Sequence, residues 1–149
     1  MLNEGSNAFD ILLVEDEPAD ALLVRTAIKQ CKVLCNVSHA IDGVEALDFL
    51  RRKGQRYRNA PRPDLILLDL NMPRMNGREF LAEVKADENL ASIPVVILTT
   101  SEVERDIETA YQLQASGFIT KPVDMEQFSD AMCQLVTYWL TLTRLPKKG

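Results

Sequence analysis

The chain has 149 residues, 46% hydrophobic and 26% charged, with a formal net charge of −5. That is enough apolar material for one compact domain spanning residues 1–149, and the acidic balance excludes nucleic-acid binding of the kind that relies on summed positive charge. No apolar run approaches bilayer-crossing length, and the opening "MLNEGSNAF" lacks the basic-then-apolar layout of a secretory leader, so a cytoplasmic protein with no membrane partner is expected.

The first apolar run, Ile11 to Val14, is followed at once by the acid pair Glu15-Asp16. Pro18 then suits an early helical position, and Ala19, Leu22, Leu23, Ala27 and Ile28 give a helical apolar pattern. Cys31, Cys35 and Cys133 are an odd number with no metal-knuckle spacing; reduced, mostly buried thiols are expected, and a Cys31–Cys35 bridge is disfavoured. Val33 to Ala40 reads as a more polar, alternating strand at a sheet edge, with His39, the only histidine, in a structural or surface role. A second helix is expected from Asp42 to about Lys53, with Val44, Leu47 and Leu50 at spacings of three. The basic stretch Arg51, Arg52, Lys53, Arg56, Arg58 and Arg62 reads as a solvated loop, with electrostatic docking as the minority reading.

Leu65 to Leu68 is a second apolar run, and it finishes on Asp69. A carboxylate placed there is costly unless its surroundings compensate it. "NGREFLAEVKAD" predicts a third helix, Val95 to Leu98 a strand leading to Thr99-Thr100, "SEVERDIETAYQLQ" a fourth helix, Phe118-Ile119 a short strand just before Lys121, and "DMEQFSDAMCQLVTYWL" a fifth helix. In that last helix Phe128, Ala131, Met132, Leu135, Trp139 and Leu142 form the stripe expected against a sheet. Cys133, Val136 and Leu140 widen the arc enough to suggest a second copy of the chain as cover, hence a homodimer.

Continuous apolar runs indicate strands covered on both faces, and their alternation with helical patterns indicates a doubly wound α/β fold with a five-stranded parallel sheet and five helices. Such sheets bind ligands at the carboxyl ends of their strands. The residues there are Glu15, Asp16, Asp69, Thr99, Thr100 and Lys121. Three crowded carboxylates repel one another unless a cation sits among them, and oxygen ligands with room left for water favour magnesium over zinc or calcium. Lys121 and Thr99 suit phosphoryl oxygens. Asp69 is then placed as a nucleophile that accepts a phosphoryl group.

"LLVEDEP", "DLILLDLNMPRMNG", "VVILTTS" and "FITKP" stand in that order, and together they resemble the receiver domain of two-component response regulators, the CheY-like family. The resemblance implies strand order 2-1-3-4-5 and phosphorylation of Asp69 by a sensor histidine kinase. It implies Mg2+ or Mn2+ held by Glu15, Asp16, Asp69 and the Asn71 carbonyl, and a switch built on Thr99 and Phe118 with Lys121 at the phosphate. Thr100 flanks that phosphate, and the bond before Pro122 is expected to be cis. "RRKGQRYRNAPRPDLILLDLNMP" and "YWLTLTRLP" further resemble the stand-alone regulators of cyanobacterial phytochrome kinases.

Rival readings are weaker. An aspartyl phosphatase wants a second acid two residues after its nucleophile, where this chain has Asn71; a nucleotide- or flavin-binding module wants a phosphate-cradling loop where this chain has the acidic "EDEPAD". A phosphorylation-independent scaffold would have no use for the acidic site. Glu15 and Asp16 could merely favour a helix N-terminus, but that leaves Asp69 and Lys121 unexplained.

Overall fold

The computed structural model describes residues 8–31, 33–70, 74–99, 115–120 and 125–139; at 99, 117–120 and 125 only the backbone is described. Five parallel strands, β1 (Phe9–Val14), β2 (Cys35–Ala40), β3 (Leu65–Asp69), β4 (Val95–Thr99) and β5 (Gly117–Thr120), form one sheet in the order β2-β1-β3-β4-β5. Among the described residues the helices are α1 (Pro18–Lys29), α2 (Gly43–Leu50), α3 (Gly77–Ala86) and α4 (Met125–Thr137). The segment expected to form one more helix, 101–114, lies outside the described residues, as do Asn71, Thr100, Lys121, Pro122 and Leu140.

The unbroken apolar runs have a direct structural cause. Alternate residues of each central strand point to opposite faces. Leu12, Val14, Ile66, Leu68, Val95 and Ile97 pack with α2 and α3. Ile11, Leu13, Leu65, Leu67, Val96 and Leu98 pack with α1 and α4. Leu65 to Leu68 are wholly buried, and each such side chain stabilises the fold by about 2 kcal/mol. β2, at the edge, is only partly covered until Ala40, which matches its polar alternation.

The helices are placed by local chemistry. α1 starts at Pro18 and carries Asp20 in its first turn and Lys29 in its last, both favourable to the helix dipole. Its inward face is Ala21, Val24, Ala27 and Ile28, whereas Ala19 is exposed and Leu22 is 65% exposed. The expected stripe is therefore corrected by a partial rotation: apolar residues lie on several sides of α1, and the side chosen is the one that meets both the sheet and α4. α3 opens with a capping box, Asn76 accepting from the Glu79 amide and Glu79 accepting from the Asn76 amide, each at 2.9 Å.

α4 brings a second correction. Phe128, Met132 and Val136 are fully buried with the α1 residues, and Leu135 and Trp139 pack partly against the same cluster. Val136 is thus a core residue and Cys133 faces α1, where it is disulfide-bonded to Cys31. Neither lies on an outward dimer face. The second surface that the wide apolar arc demanded is supplied within the chain by α1, and the exposed described positions of α4 are polar: Glu126, Gln127, Asp130 and Gln134. The bridge also overturns the expectation of three reduced thiols; only Cys35 is free.

The basic stretch fastens the loop between α2 and β3 to its own chain. Arg51 reaches Glu83 and Asp87, Arg52 donates to the Ala60 carbonyl, Arg56 pairs with Glu45 and lies over the Tyr57 ring, and Arg62 donates to the Asn89 carbonyl and Ser92 hydroxyl. The exposed ion pairs contribute little each; several together give the loop a fixed course.

Two ties hold the chain that follows Asp69. The Gly77 amide donates to the Leu70 carbonyl at 3.0 Å. A Cβ at Gly77 would lie 2.5 Å from Leu70 Cα and 2.6 Å from the Asp69 carbonyl oxygen, so only glycine allows this approach. On the other side, Asp42 caps α2 by accepting from the Glu45 amide at 2.9 Å and receives Arg74 Nε at 2.7 Å, while the Gly43 amide donates to the Met75 carbonyl at 3.2 Å. Burial pushes the Asp42 carboxyl up, but the Arg74 hydrogen bond, the Glu45 and Val44 amides and the Arg74 charge outweigh it and hold it below the ordinary value of 3.8.

Gly77→Ala should lower unfolding free energy by about 1–3 kcal/mol, as inserted methyls do when backbone must shift, measured by urea denaturation. Because the folded Asp42 carboxyl is depressed, its stabilisation is full above the ordinary value and is lost as pH falls through the folded one. Asp42→Ala should therefore cost about 1–2 kcal/mol at neutral pH, with the gap to wild type narrowing steadily as pH falls below 3.8.

Candidate functional site

Parallel register sets three strand ends side by side. Val14, the last residue of β1, pairs with Leu68 of β3; Asp69 pairs with Leu98 of β4; Thr99 pairs with Thr120 of β5. Glu15 and Asp16 therefore emerge beside Asp69, and Thr99 stands one residue past the Asp69 partner. Lys121 is the next residue in sequence after Thr120. The side chains of Thr99 and Phe118 fall outside what is described; the backbone of Thr99 stands at this edge, and that of Phe118 lies two residues before it, opposite Ile97.

Glu15, Asp16 and Asp69 do converge: one carboxylate oxygen from each lies within 4.8 Å of the others. Glu15 is wholly buried and Asp69 is 7% exposed, while Asp16 is more open to solvent. Three carboxylates this close, two of them out of water, repel one another unless positive charge joins them. The donor set is all oxygen, which suits a hard divalent cation and not a thiolate- or imidazole-loving one. The residues present fit such an ion.

The surroundings hold this arrangement from behind. The Glu15 amide donates to the Ala40 carbonyl at 3.0 Å, and Glu15 Oε2 accepts from the Glu17 amide at 3.4 Å. His39 Nε2 donates to the Glu15 carbonyl at 2.7 Å, so the structural role expected for the lone histidine is to brace the acid beside the site. From the far side, the Gly77 approach ties the start of α3 to Asp69 and Leu70, and the Arg74–Asp42 pair ties it to α2. Sequence reasoning gave neither Asp42 nor Arg74 any part in the site. The signal for Asp42 was visible as an acid directly before a helix; that Arg74, 32 residues later, answers it was not.

Comparison with known proteins agrees with this geometry. Residues 11–132 match the response regulator receiver domain family. The chain is 40% identical over 146 residues to the response regulator Rcp1 of Synechocystis sp., covering 98% of this chain and 99% of Rcp1. Among solved structures, the phosphorylated cyanobacterial phytochrome response regulator RcpA superposes with a TM-score of 0.86 at 44% identity, over 94% of this chain and 99% of RcpA. The Mn2+-bound form of Rcp1 gives a TM-score of 0.84 at 40% identity, over 93% and 99% of the two chains. An acidic trio at the carboxyl edge of a 2-1-3-4-5 parallel sheet, in a chain matched along nearly its whole length, has one consistent reading: this protein belongs to the response regulator receiver domain family of two-component signalling.

Proposed function

We propose that the protein is a phosphoacceptor switch that takes a phosphoryl group from a sensor histidine kinase onto Asp69 and changes its protein contacts in response. The observation that carries this reading is the convergence of the Glu15, Asp16 and Asp69 carboxylates within 4.8 Å at the edge where the strands end. An Asp69 oxygen attacks phosphorus, the P–N bond to the kinase imidazole breaks with its electron pair leaving on nitrogen, and Asp69 is left as an acyl phosphate. Positioning and charge neutralisation supply most of the catalysis of such a transfer.

Glu15, Asp16, Asp69 and the Asn71 carbonyl are assigned as the holders of a divalent ion, Mg2+ or Mn2+. When bound, that ion offsets the negative charge of the carboxylates and of the phosphoryl oxygens. The neighbouring side chains divide the remaining work. Lys121 is assigned to a phosphoryl oxygen, Thr99 to a second, with Thr100 flanking, and Phe118 to the response that follows Thr99. A cis bond at Pro122 would set the direction of Lys121. Phosphorylation replaces the single negative charge of the Asp69 carboxylate with the roughly two of an acyl phosphate, and it moves the population only as far as one conformation binds that phosphate better.

The likeness to RcpA supports a phytochrome-type kinase as donor; among the described residues no helix is long and apolar enough to cross a membrane, and the setting proposed is cytoplasmic. A homodimer would need a surface other than Cys133 and Val136, with Leu140 the remaining candidate. Protein contacts, not turnover of a small substrate, are the expected output.

Incubation with acetyl phosphate and Mg2+ should attach a single phosphoryl group, read by intact-mass spectrometry, and Asp69→Asn should abolish it; a label that persists in that variant overturns the assignment. Mn2+ should raise the melting temperature of the wild type, and Asp16→Asn should weaken Mn2+ binding by on the order of tenfold or more, measured by calorimetric titration.

A further inference from the structure

The bridge between Cys31 and Cys133 joins the second residue beyond α1 to the middle of α4, with Cα atoms 5.2 Å apart and a sequence separation of 102. We infer that these two cysteines are a redox-active pair, and that their reversible oxidation staples the C-terminal helix to α1.

Three observations support a reversible device over a permanent cross-link. First, the bridge is reachable. Both residues are half-buried, and Cys31 lines a groove of about 630 Å3, open to solvent between α1 and β2, with Leu22, Ile28, Val33 and Val37 among its walls. A dithiol reductant can approach the Cys31 sulfur from that groove, displacing Cys133 as leaving group.

Second, the reduced state is also provided for. The Ala27 carbonyl lies 3.3 Å from Cys31 Sγ and 3.7 Å from Cys133 Sγ, so each thiol has an acceptor when the S–S bond is gone. No buried polar group is orphaned by reduction, and the apolar packing of Phe128, Met132 and Val136 on α1 is independent of the bond.

Third, the remaining cysteine is chemically distinct. Cys35 lines the same groove, but burial, followed by the charges of Asp64 and Asp10, pushes its thiol up to about 11. It stays protonated near neutrality and is a poor nucleophile, which leaves exchange to the Cys31–Cys133 pair.

The chemistry balances with an oxidant of the low-molecular-weight disulfide class. Cys31 and Cys133 lose two protons and two electrons as their S–S bond forms; glutathione disulfide takes the electrons and leaves as two thiols. Reduction runs the same exchange backwards. Linking positions 102 residues apart restricts the opened chain, so the oxidised protein should open at α4 less often than the reduced one.

The full chain is equilibrated in glutathione buffers of graded reduced-to-oxidised ratio, quenched with an alkylating agent and mapped by peptide mass spectrometry. Cys31 and Cys133 should pass together from alkylated to bridged, with Cys35 alkylated throughout, and Cys35→Ser should titrate as the wild type does. In the oxidised form, amide hydrogen exchange in α4 should slow by on the order of a hundredfold. Alkylation of all three cysteines in glutathione disulfide alone, a bridge that survives fully reduced glutathione, a bridge to Cys35, or α4 exchange that ignores redox state would each overturn the inference. The phosphoryl assignment stands or falls separately, since Asp69 labelling is read in another assay.

Discussion

Three carboxylates held within 4.8 Å of one another are an electrostatic liability, and much of the surrounding structure serves to hold them there. Two of the three are buried. Repulsion between like charges at this range amounts to several kcal/mol in a partly desolvated site, so the acids would separate if their backbones were free to move. They are not. Glu15 is fixed by the Ala40 and His39 hydrogen bonds, and Asp69 by the fully buried run Leu65 to Leu68 that delivers it. The hydrophobic free energy of the central strands is what keeps an unfavourable charge arrangement in place, in a form that suits a hard divalent cation.

The same logic explains the less obvious residues around the edge. Gly77 allows α3 to begin almost in contact with the Asp69 carbonyl, and Arg74 reaches back to Asp42, so the start of α3 is tied both to the end of β3 and to the start of α2. These contacts touch no ligand. They are positioning contacts, and they connect the site to α2 and α3, which pack on one face of the sheet. The other face carries α1 and α4, and α1 begins at Pro18, with one residue between it and the acid pair. A change of charge at the site therefore has mechanical access to both layers.

The sheet and its acids were legible in the sequence because burial on both faces leaves a local signature: four apolar residues in a row, closed by a carboxylate. Helix orientation was not legible, because it depends on which partner a helix meets. Leu22 on α1 and Val136 on α4 are equally apolar, yet the first is exposed and the second is core. The Cys31–Cys133 bridge and the Arg74–Asp42 pair were hidden for the same reason, each joining residues far apart in sequence. A wide apolar arc on α4 was a sound sign that the helix needed a second surface, and α1 supplied what a second chain had been expected to supply.

The claim at the centre is that the carboxyl edge of the sheet gathers a divalent ion and a phosphoryl group at one point. A crystal structure of the full chain grown with Mn2+ and the phosphoryl mimic beryllofluoride tests it directly, since manganese marks itself by anomalous scattering. One strong anomalous peak among Glu15, Asp16 and Asp69, with the fluoride group on an Asp69 oxygen, is the predicted result. Manganese bound elsewhere with that cluster empty, or the mimic attached to another residue, would contradict the account.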